Sequence, residues 1–163
     1  MVPEKVKSVY AKLSHVTNSE VDDGFKIILT FESGTTALCE VGTSNFVNLP
    51  RWYMQGREGT AVIQDFKGKG KIVSTLVWHE KNVKPVITAA GLTKTMAPRR
   101  RRTITETSLP TVQSDIRDYY KNVIRAIEGK EAVIVTHVQL MRSMRLMEAA
   151  FRSHTLNQSV DFE

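Results

Sequence analysis

The sequence contains a single cysteine, Cys39, and no apolar stretch that approaches the roughly 20 residues of a membrane-spanning helix. One thiol excludes a disulfide within the chain. Its position inside a predicted strand favours a small buried hydrophobe in a reduced cytoplasm. The amino terminus also lacks the apolar segment of a secretory signal. These absences predict a cytoplasmic protein that needs no disulfide and does not enter a membrane.

Catalytic and metal-binding motifs are absent as well. The histidines at 15, 79, 137 and 154 show neither HxxxH nor HExxH spacing, which disfavours a metal site. The segment 68–71, GKGK, lacks a third glycine and precedes a predicted strand, so the helix-terminus mechanism of phosphate binding is missing. Asp22 and Asp23 could form a general acid/base pair, but before Gly24 they are more typical of a turn. No catalytic residue is predicted.

Charge of one sign is concentrated in a single run. Lys and Arg number 23 against 17 Asp and Glu, a net charge of +6, and four of the positive charges are Arg99 to Arg102. This run could track a nucleic-acid backbone. However, it has no interleaved aromatic residues for base stacking and lies in a predicted loop. A solvated or carboxylate-paired loop is therefore favoured, and nucleic-acid binding is the less favoured hypothesis.

Apolar runs separated by turn signals dominate the first half of the chain. Phe25, Ile27, Leu29 and Phe31 alternate with other residues, the period of two that is typical of a strand. With the runs 36–43, 60–66 and 72–78, this segment predicts one antiparallel meander. Strands are also predicted at 6–14, 51–56 and 158–162, and a long loop at 80–112.

Two helices are predicted near the carboxy terminus. The first is capped by Ser114 and stopped by Gly129, and a capping box of Thr136 and Gln139 begins the second. We expect the sheet to cover one apolar stripe of each helix. The stripes are Ile116, Tyr120, Val123 and Ile127 in the first helix, and Leu140, Met144, Met147 and Phe151 in the second.

The order of the elements predicts an α+β fold: a mainly antiparallel open-faced sheet with two C-terminal helices packed on one face. A single domain over 1–163 is expected from the length. Residues 37–41 and 72–78 carry apolar residues on both sides of their strands, more than a solvated face tolerates. We therefore expect another copy of the chain or another domain to cover the second face.

Several ordered strings resemble one protein family. They are VDDGF at 21–25, LTFESG at 29–34, PRW at 50–52 and GxxGT at 56–60, followed by DYYKN at 118–122, AIEG at 126–129 and LMEAAFRS at 146–153. Over residues 6–162 the chain resembles the C-terminal domain of the glucose-fructose oxidoreductase/inositol dehydrogenase (Gfo/Idh/MocA) family. The resemblance implies a dihydrodipicolinate-reductase-like C-terminal domain that shapes the substrate pocket and forms oligomers through its open sheet.

In that family, a Rossmann domain that binds NAD or NADP precedes this domain. The family's GxGxxG fingerprint, its Glu-Lys-Pro lysine and its His-x-x-x-Asp helix should all lie before residue 6, so no catalytic or cofactor-binding residue is carried over. The implied function is the substrate-binding and oligomerisation domain of an NAD(P)-dependent sugar or polyol (inositol-like) oxidoreductase, inactive alone. The alternative is a stand-alone dimeric binding or scaffold module.

Candidate substrate-binding residues are Arg51, Trp52, Lys94 and Tyr120. A sugar pocket favours aromatic faces and cations that bind hydroxyl groups, placed on loops and at the ends of elements. The alternative places Trp52 and Tyr120 in the core and leaves Arg51 and Lys94 as solvated charges.

Overall fold

Ten strands and two helices make up the part of the chain that the computed structural model describes, residues 4–75, 86–91, 93–94, 101–111 and 113–162. The chain divides into two compact units, Met1–Phe46 with Asp115–Glu163, and Val47–Ser114. The predicted fold class is confirmed: α+β, with antiparallel sheets and two C-terminal helices. That the chain is a single domain stays a prediction.

The first unit contains a four-stranded antiparallel sheet in the order β10-β1-β2-β3. Its strands are β1 (Val6–Ser14), β2 (Gly24–Phe31), β3 (Thr36–Gly42) and β10 (Val160–Asp161). The alternation in the sequence sets the register, because Val9 lies opposite Leu29, and Leu29 opposite Ala37, so that apolar side chains share one face. Gly34, at φ 86°, permits the tight turn between β2 and β3.

Helix α2 (His137–Leu156) packs against β1 and β10 and closes the core of this unit. The core is a cluster of buried apolar side chains from the helix and the three strands β1, β2 and β10. Its helix residue, Ala149, is small, which lets the helix approach the sheet closely. The cluster consists of Val6, Val9, Leu29, Phe31, Ala149 and Val160.

A buried hydroxyl connects this helix to the backbone of β1. Strand β10 pairs with β1 only as far as Val9, so the next outward-facing amide, that of Ala11, has no strand partner on that side. Ser153, which has no exposed surface, accepts from the Ala11 amide at 2.9 Å and donates to the Gln158 carbonyl at 2.6 Å. Ser153, near the end of α2, therefore provides the hydrogen-bond acceptor for an amide of β1 that β10 is too short to reach.

Side chains at the end of α2 also bond to the next two residues of β1, where a neighbouring strand would otherwise pair. The Leu13 amide donates to Nδ1 of His154 at 3.3 Å. The Lys12 ammonium donates to the side-chain oxygen of Asn157, which ends the helix in the left-handed conformation. Side chains at the end of α2 thus bind three successive residues of β1, and they fix the rotation of the helix about its own axis.

The hairpin between β1 and β2 depends on Asp23. Its carboxylate accepts from the amides of Val16, at 2.9 Å, and Thr17, and from the Thr17 hydroxyl at 2.8 Å. The Val16 amide, followed by the Thr17 groups, lowers the pKa of this carboxyl to about 2, because each donor stabilises the charged form. The predicted turn role is confirmed for Asp23.

The second unit contains a separate four-stranded antiparallel sheet in the order β4-β5-β6-β9. Its strands are β4 (Trp52–Gln55), β5 (Gly59–Ile63), β6 (Gly70–Ser74) and β9 (Thr105–Ser108). A short hairpin joins β7 (Val86–Ile87) to β8 (Thr93–Lys94), and a 3₁₀ turn follows at Arg101–Thr103.

The prediction of one continuous meander is wrong, because β3 does not pair with β5. After β3 the chain enters the irregular segment 44–50, which ends in a proline, and β4 then pairs with β5 in a different sheet. The loop prediction for 80–112 is also wrong in part. Residues 105–108 form β9 and pair with β6, whereas 80–85, 92, 95–100 and 112 lie outside the described residues.

Most of the terminal signals of the helices are confirmed. Thr136 and Gln139 form the expected capping box, and Gly129, at φ 70°, follows the end of α1 (Ile116–Ile127). The first cap is corrected by one residue, since Asp115 and not Ser114 accepts the amide of Arg117. Either residue type caps well, so sequence alone did not discriminate between them.

The predicted burial of the two helical stripes is wrong. Phe151 of α2 is 53% exposed, and the other three residues of its stripe are exposed as well. The core is instead contacted by Ala149 and Ser153, which follow Met147 and Phe151 by two positions, about 200° around the helix. In α1, Ile116, Tyr120 and Ile127 are exposed, and only Val123 is half-buried.

Cys39 is also exposed, contrary to the expectation of a buried thiol. It lies on β3, opposite Ile27 of β2, on the face of the sheet that carries the core. Helix α2 packs on β1 and β10, and β3 is the edge strand at the opposite end of this sheet. The helix therefore leaves the β3 end of the core-facing side uncovered.

We predict that Ser153→Ala lowers the free energy of unfolding by about 1–3 kcal/mol, because the buried amide of Ala11 loses its acceptor. Urea unfolding provides the measurement. The matched control is Ser143→Ala on the same helix, an exposed serine whose hydroxyl donates to the Gln139 carbonyl, with an expected change within about 0.5 kcal/mol. Equal losses in the two variants would contradict the role given to Ser153.

Asp23 predicts a specific dependence of stability on pH. Its folded pKa lies below the ordinary value of 3.8, so its stabilisation is present above that value and is lost as the pH falls through about 2. Asp23→Asn should therefore be less stable than the wild type at pH 5, and the difference should shrink between pH 4 and pH 2. Urea unfolding across this range tests it, with Asp22→Asn as the control. A difference that stays constant with pH would refute the assignment.

Candidate functional site

Arg51 and Trp52 form an exposed aromatic and cationic corner at the start of the second sheet. Trp52 opens β4 opposite Ile63 and is 42% exposed. The guanidinium carbon of Arg51 lies 3.8 Å from the ring centroid of Phe66, within the range of a cation–π contact. The exposed indole of Trp52 offers an apolar face and the oriented guanidinium of the preceding residue offers hydrogen-bond donors, the two chemistries that a polyhydroxylated ligand needs.

The other two candidate residues lie elsewhere. Lys94 belongs to β8, where it pairs with Val86, and its side chain is outside the described atoms. Tyr120 belongs to α1 in the first unit, is 60% exposed and contacts Tyr119 edge-to-face at 5.6 Å between ring centroids. Of the four candidates, Arg51 and Trp52 are neighbours in sequence, whereas Tyr120 belongs to a different unit. Their role in substrate binding stays a prediction.

The two faces of the second sheet differ in chemistry. Trp52 shares its face with Met54 and with Ile72, which lies across the sheet, and all three side chains are exposed. The opposite face carries an ion pair between Lys71 and Glu106 at 3.0 Å. The Trp52 corner is therefore continuous with an apolar sheet surface, whereas the reverse face is mixed and carries Tyr53, Val62 and Val73 beside this ion pair.

The first sheet presents a second apolar surface. Tyr10, Ile28 and Leu38 are cross-strand neighbours in one row, on the face opposite the core, and Leu38 is 63% exposed. Next to this row, Lys26 and Glu40 form an ion pair at 3.4 Å. The sequence-based inference that 37–41 carries apolar residues towards both faces agrees with this geometry.

Asn122 organises the region around Tyr120, and the sequence patterns missed it. Its buried amide donates to the Ala132 carbonyl at 2.9 Å and to the Glu131 carboxylate at 3.0 Å, and it accepts from the Ile134 amide at 2.9 Å. These bonds attach the segment after α1 to the helix. An asparagine among polar helix residues carries no periodic signal, so only the backbone geometry reveals this role.

The described residues do not fit a dinucleotide. A pyrophosphate site requires free amides at a helix start that follows a parallel strand and a glycine-rich turn. Here the start of α1 holds the Asp115 carboxylate, and the start of α2 is closed by Thr136 and Gln139. Both four-stranded sheets are antiparallel.

Within the ranges of the chain that the structure describes, no three His, Cys, Asp or Glu side chains lie close enough together to hold a metal ion. Likewise, no helix found there has the length and apolar character needed to cross a bilayer.

Comparisons with known proteins identify the fold and the family. The model of the oxidoreductase family C-terminal alpha/beta domain matches residues 2–162. An NAD-binding protein from Listeria innocua is 38% identical with a TM-score of 0.87, and the match covers 98% of this chain and 46% of that one. No curated protein gives a significant match.

Two further solved structures share the fold at lower identity. A Bacillus subtilis protein assigned as an oxidoreductase, yvaA, is 18% identical with a TM-score of 0.71, covering 97% of this chain and 46% of its own. The aldose-aldose oxidoreductase of Caulobacter crescentus, complexed with glycerol, is 18% identical with a TM-score of 0.61, covering 97% and 42%. The chain thus spans less than half the length of these relatives. It belongs to the Gfo/Idh/MocA oxidoreductase family and comprises the C-terminal α/β domain of that family.

Proposed function

We propose that this chain is the substrate-binding and oligomerisation domain of an NAD(P)-dependent oxidoreductase that acts on the CH–OH group of a sugar or polyol. One observation carries the proposal: nearly the whole chain matches less than half of relatives that are described as oxidoreductases or as NAD-binding. Hydride transfer needs a bound nicotinamide and a positioned base. In this proposal an N-terminal domain supplies both, and the chain alone is not catalytic.

The proposed substrate class rests on the chemistry of the exposed corner. The Trp52 indole can stack on the apolar face of a sugar ring, and the Arg51 guanidinium, held over Phe66, can donate to hydroxyl oxygens. Glycerol, a polyol, is bound by the Caulobacter crescentus relative. Lys94 and Tyr120 stay separate candidates for substrate binding, each argued from the sequence alone.

Oligomerisation is proposed through the open face of the first sheet. Its row of Tyr10, Ile28 and Leu38 presents apolar surface that a second copy of the chain would remove from water. The proposed setting is the cytoplasm, where the exposed thiol of Cys39 would stay reduced.

We predict that Trp52→Ala, introduced into the complete oxidoreductase, raises the KM for the sugar or polyol about tenfold, which corresponds to ~1.4 kcal/mol of lost binding. The value of kcat should change little, because a stacking contact binds substrate and transition state alike. Steady-state kinetics under saturating cofactor provides the measurement. Tyr53→Ala is the matched control, since Tyr53 is the next residue of β4, is exposed and points to the opposite face.

An increase in KM that is confined to Trp52→Ala supports the proposed site. Equal increases in both variants would indicate general damage to β4, and no increase in either would remove Trp52 from the substrate-binding set.

A further inference from the structure

A groove of about 460 Å³ lies in the first unit, where the first half of α2 passes the beginning of β1 and the end of β10. Its floor is apolar. Val6 is buried there, Phe162 is half-buried, and the amide of Phe162 donates to the Lys7 carbonyl at 3.0 Å, which fixes this end of the chain against β1. Met141 forms part of the helix wall. The groove therefore has an apolar base, and the backbone hydrogen bond between Phe162 and Lys7 holds one side of it in place.

The rim of the groove is positively charged. Arg142 and Arg145 lie three positions apart on the same side of α2, and Lys5 stands at the entry of β1. Arg142 is held in place by a bond from its Nη2 to the Glu4 carbonyl at 3.4 Å. His137 also contributes to the wall, and the lining residues that the structure describes include no carboxylate.

These rim charges lack compensating partners within the described residues. None of the three cations forms an ion pair with a carboxylate there, although the Lys and Arg residues of α1 and of the second sheet do so. Clustered cations above an apolar floor attract an anion and, at the same time, favour an apolar body attached to it.

We propose that this groove binds a small organic anion with an apolar body, a carboxylate or a phosphate ester. The anionic head contacts Arg142, Arg145 and Lys5, and the apolar body lies on Val6, Met141 and Phe162. The size favours a small molecule, because ligand pockets commonly measure about 300–1,000 Å³. A protein interface would engage about 20–30 residues on each side, whereas eight of the described residues line this groove.

Octanoate provides the probe. Calorimetric titration of the 163-residue chain should give saturable binding, whereas octanol tests the apolar body without the charge and acetate tests the charge without the apolar body. Octanol and acetate should each bind at least about tenfold more weakly than octanoate, because each lacks one of the two kinds of contact that octanoate makes. Equal binding of octanoate and octanol, or of octanoate and acetate, would overturn the proposal.

Substitutions locate the site. Arg142→Gln and Arg145→Gln should each weaken octanoate binding about fivefold, as expected for an exposed charged contact. Lys121→Gln on α1 removes the same charge away from the groove and should have no effect. Because all three side chains are exposed, thermal unfolding should show that the variants remain folded. If octanoate affinity falls equally in the control, or in none of the variants, the groove is not the binding site.

An acidic peptide of alternating Leu and Glu residues tests whether a polypeptide is the preferred occupant. We expect it to bind more weakly than octanoate and not to displace it. Displacement of octanoate by the peptide at lower concentration would identify a docking site for a polypeptide and would contradict the proposal.

Discussion

The orientation of α2 on the edge of β1 is the constraint on which the first unit depends. Ser153 and His154 bind backbone amides that β10 is too short to reach, and these directional bonds leave one rotation of the helix available. That rotation turns Ala149 and Ala150 into the core and the larger side chains Met147 and Phe151 outward. It also brings Arg142 and Arg145 to the rim of the groove beside Lys5. The same orientation of α2 thus accounts for both the packing and the surface chemistry of this unit.

Local signals predicted much of this architecture. The alternation in residues 6–14 and 25–31, the capping box at Thr136 and the stop at Gly129 each act within a few residues, so the sequence contains their full cause. The face of α2 that enters the core was not predictable in this way. Hydrophobicity selected the stripe with Met147 and Phe151, whereas close approach to β1 selected small residues on the other side.

The remaining differences have the same origin in long-range contacts. Strand β9 contains only Thr, Glu and Ser, and it is a strand because β6 offers it an edge. Residues 44–50 connect β3 of one sheet to β4 of the other. The apolar periodicity of the strands on either side does not indicate that they belong to different sheets. For the candidate site, sequence chemistry selected Arg51 and Trp52, both of which are exposed, and their role in substrate binding stays a prediction. It did not indicate that Arg51 would lie over Phe66, because that contact depends on the turn that follows β5.

Exposed apolar surface is the common property of both units. Leu38 on the first sheet, Met54 on the second and Ile127 on α1, which is 81% exposed, all lie on faces that a soluble chain normally covers. The chain matches less than half the length of its relatives, and in the proposed function an N-terminal domain and a second copy of the chain would cover such surfaces. The exposed apolar surface and the family assignment therefore both support the proposal that this chain works together with another domain.

The central claim is that this chain contributes the substrate side of an oxidoreductase and that its nucleotide site lies in another domain. Fluorescence titration of the chain with NADH and NADPH tests this most directly. The account predicts no saturable binding of either nucleotide up to millimolar concentration, because both helix starts are already capped. Saturable binding of either nucleotide in the micromolar range would contradict it.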